Sequence, residues 1–193
     1  MNYFIRQFGK PEGGFGRFLS GIMNLSNNKM YKANIRRLKG TKRILEIGFG
    51  NGKQLELIRK DFLDAELYGV DISADMFDAA TRRLGKKADL QIADACELPY
   101  QDDFFDAVIT TDTFYFWKKP EQVLQEICRV LSDGGIFVNT YNRMYAASVG
   151  NCSEEDCMYR DIDLITSAER VSLQVKGQAK VGLCERQIVF RKE

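Results

Sequence analysis

The stretch RILEIGFGNGKQLELI, Arg43 to Ile58, decides the fold. Its apolar run Arg43–Ile47 reads as a strand, breaks into Gly48-Phe49-Gly50-Asn51-Gly52, and passes at once into an amphipathic segment, Lys53 to Phe62, that reads as a helix. A strand that ends in glycines and turns straight into a helix is the opening half of a βαβ unit. In open sheets built from such units, ligands bind outside the carboxyl ends of the strands. Glycine in that turn lets the backbone approach a ligand with no Cβ in the way. The spacing is G-x-G-x-G; Lys53 stands where the dinucleotide pattern G-x-G-x-x-G has its third glycine, and no G-x-x-x-x-G-K-[ST] phosphate loop is present.

Outward from this unit the alternation continues. Strands are predicted at Leu67–Val70, Leu90–Ala93, Ala107–Thr110 and Ile136–Thr140, and helices at Ala74–Leu84 and Glu121–Leu131. Ser73 is placed to cap the first of these helices, with Asp75 in its first turn. Val123, Leu124, Ile127, Val130 and Leu131 form one stripe on the second, Pro120 stands at its first turn, and Gly134 and Gly135 are read as its stop. Beyond the fifth strand, residues 150–163 read as a polar loop, followed by a helix near Ser167–Lys176 and closing strands at Lys180–Glu185 and Ile188–Lys192. The fold class is α/β, a doubly wound Rossmann-like sheet, mostly parallel, in three layers α/β/α.

Composition agrees with one ordinary globular domain of 193 residues, 45% hydrophobic and 28% charged with 3 Pro. No uninterrupted apolar run exceeds four residues (Phe114–Trp117 and Met144–Ala147), so neither a membrane span of about 20 nor a secretory leader is expected. The count of 0 His excludes Ser-His-Asp and Cys-His nucleophile systems, His-ligated zinc and any His base, and no metal site is expected. Five cysteines without a C-x-x-C pair fit reduced, mostly buried thiols and a cytoplasmic location, with Cys152 and Cys157 as the alternative of a redox pair.

Charge is uneven. Residues 1–43 carry 10 Lys or Arg and one acid, Glu12, leaving 18 basic and 26 acidic side chains on the remaining 150. Phe15, Phe18, Leu19 and Ile22 recur at one-face helical spacing within that basic stretch, with Gly13, Gly14 and Gly16 just before or among them. We therefore divide the chain into a basic helical arm, 1–39, and a ligand-binding domain, 40–193. The arm's Phe8–Asn28 portion is read as a lid over the site.

Two acids follow strands. Asp71 stands 23 residues after Gly48 and directly after Leu67–Val70, where a carboxylate can accept both hydroxyls of a ribose. Asp94 follows the third strand, placed to accept from an adenine amino group, with Ala95 leaving room for the ring. Asp102 and Asp103 read as solvated turn residues.

Taken in order, Glu46-Ile47-Gly48-Phe49-Gly50-Asn51-Gly52, Val70-Asp71, Asp94-Ala95 with Leu98-Pro99, Phe105-Asp106, and Arg129-Val130-Leu131 with Gly134-Gly135 resemble the class I S-adenosylmethionine-dependent methyltransferases. The nearest group is the methyltransferase type 11 or UbiE-like one, and the likeness runs from about Gly40 to Tyr141. Ser132-Asp133 and Lys118-Lys119 depart from it at turns, where a Lys-Pro and a Pro-Asp pair are common. The resemblance implies the family's sheet, with an antiparallel terminal strand, and S-adenosyl-L-methionine as cofactor, leaving as S-adenosyl-L-homocysteine. It also implies a cofactor set. Gly48, Phe49, Gly50, Asn51 and Gly52 pass the methionine part, ordered by Glu46. Asp71 holds the ribose, Ile72 and Met76 flank the adenine, Asp94 and Ala95 bond its edge, and Thr111 closes the set.

Methyl transfer from an activated donor needs orientation and exclusion of water more than acid–base chemistry. A base is needed only for an acceptor that arrives protonated; Asp112 and Tyr115, just after the fourth strand, are the catalytic candidates. The aromatic run Phe114-Tyr115-Phe116-Trp117 is placed to cradle an apolar acceptor. The function expected is direct methyl transfer to a small molecule. The alternatives are an RNA or other macromolecule methyltransferase, which would set the basic arm on phosphates, and a non-catalytic cofactor-binding scaffold.

Overall fold

Alternate residues of the first strand, β1 (Arg43–Ile47), sort onto opposite faces of a sheet: Leu45 and Ile47 belong to one apolar cluster, Ile44 to the other. The computed structural model, which describes residues 27–143 and 161–193, extends that division across the molecule. The chain runs as helix α1 (residues 27–35), β1, α2 (Lys53–Asp61), β2 (Glu66–Asp71), α3 (Ala74–Leu84), β3 (Asp89–Ile92), β4 (Phe105–Thr111), a 3-10 turn (Phe114–Phe116), α4 (Pro120–Val130), β5 (Leu131–Asn142), α5 (Asp161–Glu169), β6 (Leu173–Lys180) and β7 (Glu185–Lys192). The sheet order is β3-β2-β1-β4-β5-β7-β6. β1 pairs in parallel with β2 and β4, β2 with β3, and β4 with β5, while β7 runs antiparallel between β5 and β6. The order reverses between β1 and β4, so the crevice expected of such folds opens there, above the glycine run.

Leu55 and Ile58 of α2, with Ala80 and Leu84 of α3, cover Ile44, Ala107, Ile109 and Val138 on one face. On the other, Val123, Leu124, Ile127 and Val130 of α4 and Leu164 and Ala168 of α5 cover Leu45, Val108, Phe137 and Phe190. Each large aliphatic side chain buried in this way contributes roughly 1.5–3 kcal/mol. The α/β fold in three layers with a mostly parallel sheet is therefore as expected. Ser73 caps α3 as expected, its hydroxyl accepting the Met76 N–H.

Three details differ. Gly134 and Gly135 do not stop a helix: α4 ends a step earlier, with Leu131 already extended, and the glycines lie within β5 where its register with β4 shifts. Gly134 takes φ 73, and a Cβ on Gly135 would stand 2.8 Å from the Ser132 carbonyl, so the irregularity needs both. The predicted helix Ser167–Lys176 ends at Glu169, and Leu173–Lys180 is strand β6, exposing every second residue; its Gln, Lys and Ala favour helix, yet the period of two prevails. The predicted strand Lys180–Glu185 is the β6–β7 turn. Most of the lid segment Phe8–Asn28, with the stripe Phe15–Ile22 and the glycines before it, lies outside the described residues, as do Cys152, Cys157 and most of loop 150–163. The three described cysteines, Cys96, Cys128 and Cys184, are unpaired and only half-buried. Among the described residues no helix is long and apolar enough to cross a membrane.

Candidate active site

The loop after β1 is held from both sides. The Gly48 N–H donates to the Val70 carbonyl at 2.8 Å, and the Gly50 N–H donates to Asp71 Oδ2 at 2.8 Å. The other oxygen, Asp71 Oδ1, accepts the Ser73 N–H at 2.9 Å, so one carboxylate at the end of β2 fixes both the glycine loop and the entry to α3. Among the described residues nothing comes within 4 Å of where a Cβ on Gly50 would be, which leaves the backbone open to a ligand. Gly48 is different: at φ 75, a Cβ would stand 2.6 Å from Thr113 Oγ1 and 2.7 Å from its Cγ2. Rotating Thr113 exchanges one clash for the other. Gly48→Ala is expected to cost about 2–3 kcal/mol, strain and overpacking together, measurable by urea denaturation.

Glu46, on β1, is buried, and among the described residues its Oε2 has no hydrogen-bond partner. Burial holds its carboxyl well above the usual carboxylate range, the charge of Asp71 pushes the same way, and the Leu55 backbone N–H opposes both. Asp71 is also raised by burial, against the pull of the backbone N–H groups of Ser73, Gly50 and Ile72. Next to it Ile72 stands 51% exposed, an apolar shelf beside the carboxylate. Asp94 is exposed and its Oδ1 accepts the Cys96 N–H at 2.9 Å, closing a turn around Ala95. Arg129 of α4 clamps that segment, donating from Nη2 to the Leu98 carbonyl at 3.0 Å and from Nη1 to the Tyr100 carbonyl at 2.7 Å. Asp102 and Asp103 are exposed but not merely solvated, since they pair with Arg129 at 2.8 Å and Lys192 at 2.6 Å.

Two members of the expected cofactor set stand apart from this surface by their side chains. Phe49 is buried in the cluster with Leu55, and a Cβ on Gly69 would touch its ring at 2.7 Å. Met76 is 1% exposed. Asn51 is buried, its carbonyl accepting Arg83 Nε at 2.8 Å, and Gly52 opens α2 in a left-handed conformation.

Asp112 and Tyr115 come together. Asp112 follows β4 at φ 54, a strained conformation for a residue other than glycine and one that clusters at functional sites. Its N–H donates to the Thr140 carbonyl at 2.9 Å, Oδ1 accepts the Asn142 N–H at 2.7 Å, and the carboxyl is buried facing the Tyr115 hydroxyl and the Asn27 side chain. Burial pushes the carboxyl up to about 6 and the charge of Glu185 adds to it, while the Asn142 N–H, the Tyr115 hydroxyl and the Asn27 side chain pull it down. A carboxyl poised there can take a proton near neutral pH. Tyr115, buried in the 3-10 turn, packs edge to face on Phe114 and Phe116 at 5.3 and 4.8 Å.

Helix α1 adds residues that the sequence pattern does not single out. Tyr31 is buried there, and the charges of both Glu46 and Asp112 help hold its phenol protonated. Asn34, also buried, donates to Thr111 Oγ1 at 3.0 Å, and Thr111 donates onward to Gln54 Oε1 at 2.8 Å. Asn27, Tyr31 and Asn34 at i, i+4 and i+7 carry a signal, a polar face at helical spacing, but their partners lie far along the chain. Among the described residues no group of three His, Cys, Asp or Glu is arranged to hold a metal ion.

Residues 45–139 match the methyltransferase domain family Methyltransf_11. The chain is 34% identical to the fatty-acid O-methyltransferase of Mycolicibacterium smegmatis over 101 residues, 51% of this chain and 36% of that protein. It is 32% identical to the uncharacterized methyltransferase YdaC of Bacillus subtilis over 117 residues, 59% of this chain and 65% of that one. The chain thus spans between about a third and two thirds of the length of these curated relatives. In structure it resembles a SAM dependent methyltransferase from Aquifex aeolicus, with a TM-score of 0.74, 17% identity, and 90% of this chain and 98% of that chain covered, a likeness of fold.

Proposed function

We propose that this chain, which belongs through residues 45–139 to the class I S-adenosylmethionine-dependent methyltransferases, transfers a methyl group directly to a small-molecule acceptor. The observation that carries this reading is the convergence, on the carboxyl ends of adjacent strands, of the Asp71-tethered glycine loop and the Asp112–Tyr115 pair. The residues suit an adenosyl amino acid. Asp71 would take the ribose, and Ile72 would lie against the adenine, whose edge Asp94 and Ala95 would bond. The Gly48–Gly52 backbone would pass the methionine part, and Glu46, whose buried Oε2 has no partner among the described residues, would accept from the amino group. Thr111 would border the set; Asn51, Phe49 and Met76 would act from beneath, by backbone or packing.

The cofactor supplies an activated methyl on a sulfonium whose leaving group departs neutral. What remains for the protein is orientation, worth roughly 7–11 kcal/mol in favourable cases, and exclusion of water. Phe116, with Tyr115 packed behind it, would wall an apolar acceptor, in keeping with the fatty acid in the name of one relative, while Phe114 belongs to the core. Asp112 would hold the proton of an acceptor that arrives protonated.

A thermal-shift comparison tests the reading. S-adenosylhomocysteine at 100 times its dissociation constant is expected to stabilise the protein by about 2.7 kcal/mol, whereas NAD at the same concentration leaves it unchanged. Equal or greater stabilisation by NAD would overturn the assignment.

A further inference from the structure

We infer that Asn34 is a positioning residue for the site: it bolts α1 onto the ends of β4, β5 and β7, so that Asn27 and Tyr31 roof Asp112 against water. The inference rests on the reading of Asp112 given above and adds to it the residue that governs its surroundings.

One turn-by-turn face of α1 carries Asn27, Tyr31 and Asn34, all buried. The Asn34 amide is used from both ends. Its Nδ2 donates to Thr111 Oγ1 at 3.0 Å and, at 3.5 Å, to Gln54 Oε1. Its Oδ1 accepts from Thr140 Oγ1 and from Gln187 Nε2, the latter at 3.0 Å. Gln187 also donates to Thr140 Oγ1 at 3.2 Å and accepts Arg37 Nε at 2.9 Å, which ties the chain just beyond α1 to the same strand.

The two threonines in this network hold Asp112 as well. Thr111 precedes it in the chain, and the Thr140 carbonyl receives its N–H. The Asn34 amide therefore ties α1 to the segment that projects the strained acid. The groups facing that acid are Asn27 and Tyr31 from α1, Tyr115 from the 3-10 turn, the Asn142 N–H from β5 and Glu185 from β7. Asn34 supplies side-chain hydrogen bonds from α1 to β4, β5 and β7, so loosening that residue admits water to Asp112 while the other elements stay in place. Buried polar networks of this kind fix one arrangement because each member loses its partners in any other.

The test reads Asp112 itself, by carbon-detected NMR titration of its side-chain carboxyl, assigned by comparison with Asp112→Asn. The parent is expected to titrate near 6. In Asn34→Ala the midpoint is expected to fall by about one pH unit or more as the carboxyl becomes hydrated. Thr140→Val, nearly isosteric and removing one member of the network, is expected to move it the same way by less, and decides the matter if Asn34→Ala does not fold. A parent midpoint in the ordinary carboxylate range, or an unmoved midpoint in folded variants that have merely lost stability, overturns the inference. S-adenosylhomocysteine binding, measured in parallel, is independent of this titration; its absence from the parent would strike the proposed function instead.

Discussion

Asp71→Ala is expected to raise the dissociation constant for S-adenosylhomocysteine by about 100- to 1,000-fold. The carboxylate accepts two backbone N–H groups, from Gly50 at 2.8 Å and Ser73 at 2.9 Å. Charge-assisted bonds from two ribose hydroxyls would contribute about 1.5–3 kcal/mol each, and tenfold in affinity corresponds to about 1.4 kcal/mol. Alanine removes that acceptor and also leaves the glycine loop without its anchor to β2. Asp71→Asn, which keeps an acceptor oxygen without the charge, is expected to fall between the two. Calorimetric titration separates these outcomes; an alanine variant binding within threefold of the parent removes Asp71 from the site.

The second large effect has opposite signs for stability and activity. The Asp112 carboxyl is raised from 3.8 to about 6, so between those pH values the folded protein binds a proton that the unfolded chain releases. Stability contributed by this group is therefore present at acid pH and is lost as pH rises through that window. The loss is about 3 kcal/mol by neutrality, at about 1.36 kcal/mol for each pH unit that separates the folded from the unfolded midpoint. Asparagine carries no charge, keeps an oxygen for the Asn142 N–H, and tolerates φ 54 better than most residues. Asp112→Asn should thus be more stable than the parent at pH 7 by about 2–3 kcal/mol and indistinguishable from it near pH 4, as read by urea denaturation at the two pH values. Its methyl transfer to an acceptor that arrives protonated is expected to drop by about 100-fold or more. A variant no more stable at pH 7 than at pH 4, relative to the parent, would show that Asp112 is ionised in the fold at little cost.

What could be read from the sequence was whatever the chain declares locally. Arg43–Ile58 carries strand, glycine turn and helix without interruption, and Asp71 follows directly on its own strand, so both could be placed without knowing any neighbour. Asn34 could not. Its partners Thr111, Thr140 and Gln187 stand 77, 106 and 153 residues away, and an asparagine on a basic segment otherwise reads as solvated. Asp112 was legible as a polar residue beyond β4, but its left-handed backbone depends on β5, which supplies both the Thr140 carbonyl and the Asn142 N–H. The β6 strand escapes a sequence reading for a different reason: its pattern of alternate exposure competes with a composition that favours helix, and pairing with β7 decides between them.

The connection between β3 and β4 holds no helix, and α4 does that work from across the sheet's edge. Gln122 of α4 donates to the Cys96 carbonyl at 3.0 Å, Glu126 accepts the Leu98 N–H at 2.7 Å, and Arg129 takes the Leu98 and Tyr100 carbonyls. The same helix starts at Pro120, a few residues past the aromatic turn. The rim that would face the nucleobase and the wall that would face the acceptor are thus mounted on one lever. Whatever moved α4 would therefore move both of these segments, one bonded to its side chains and the other running directly into its first turn.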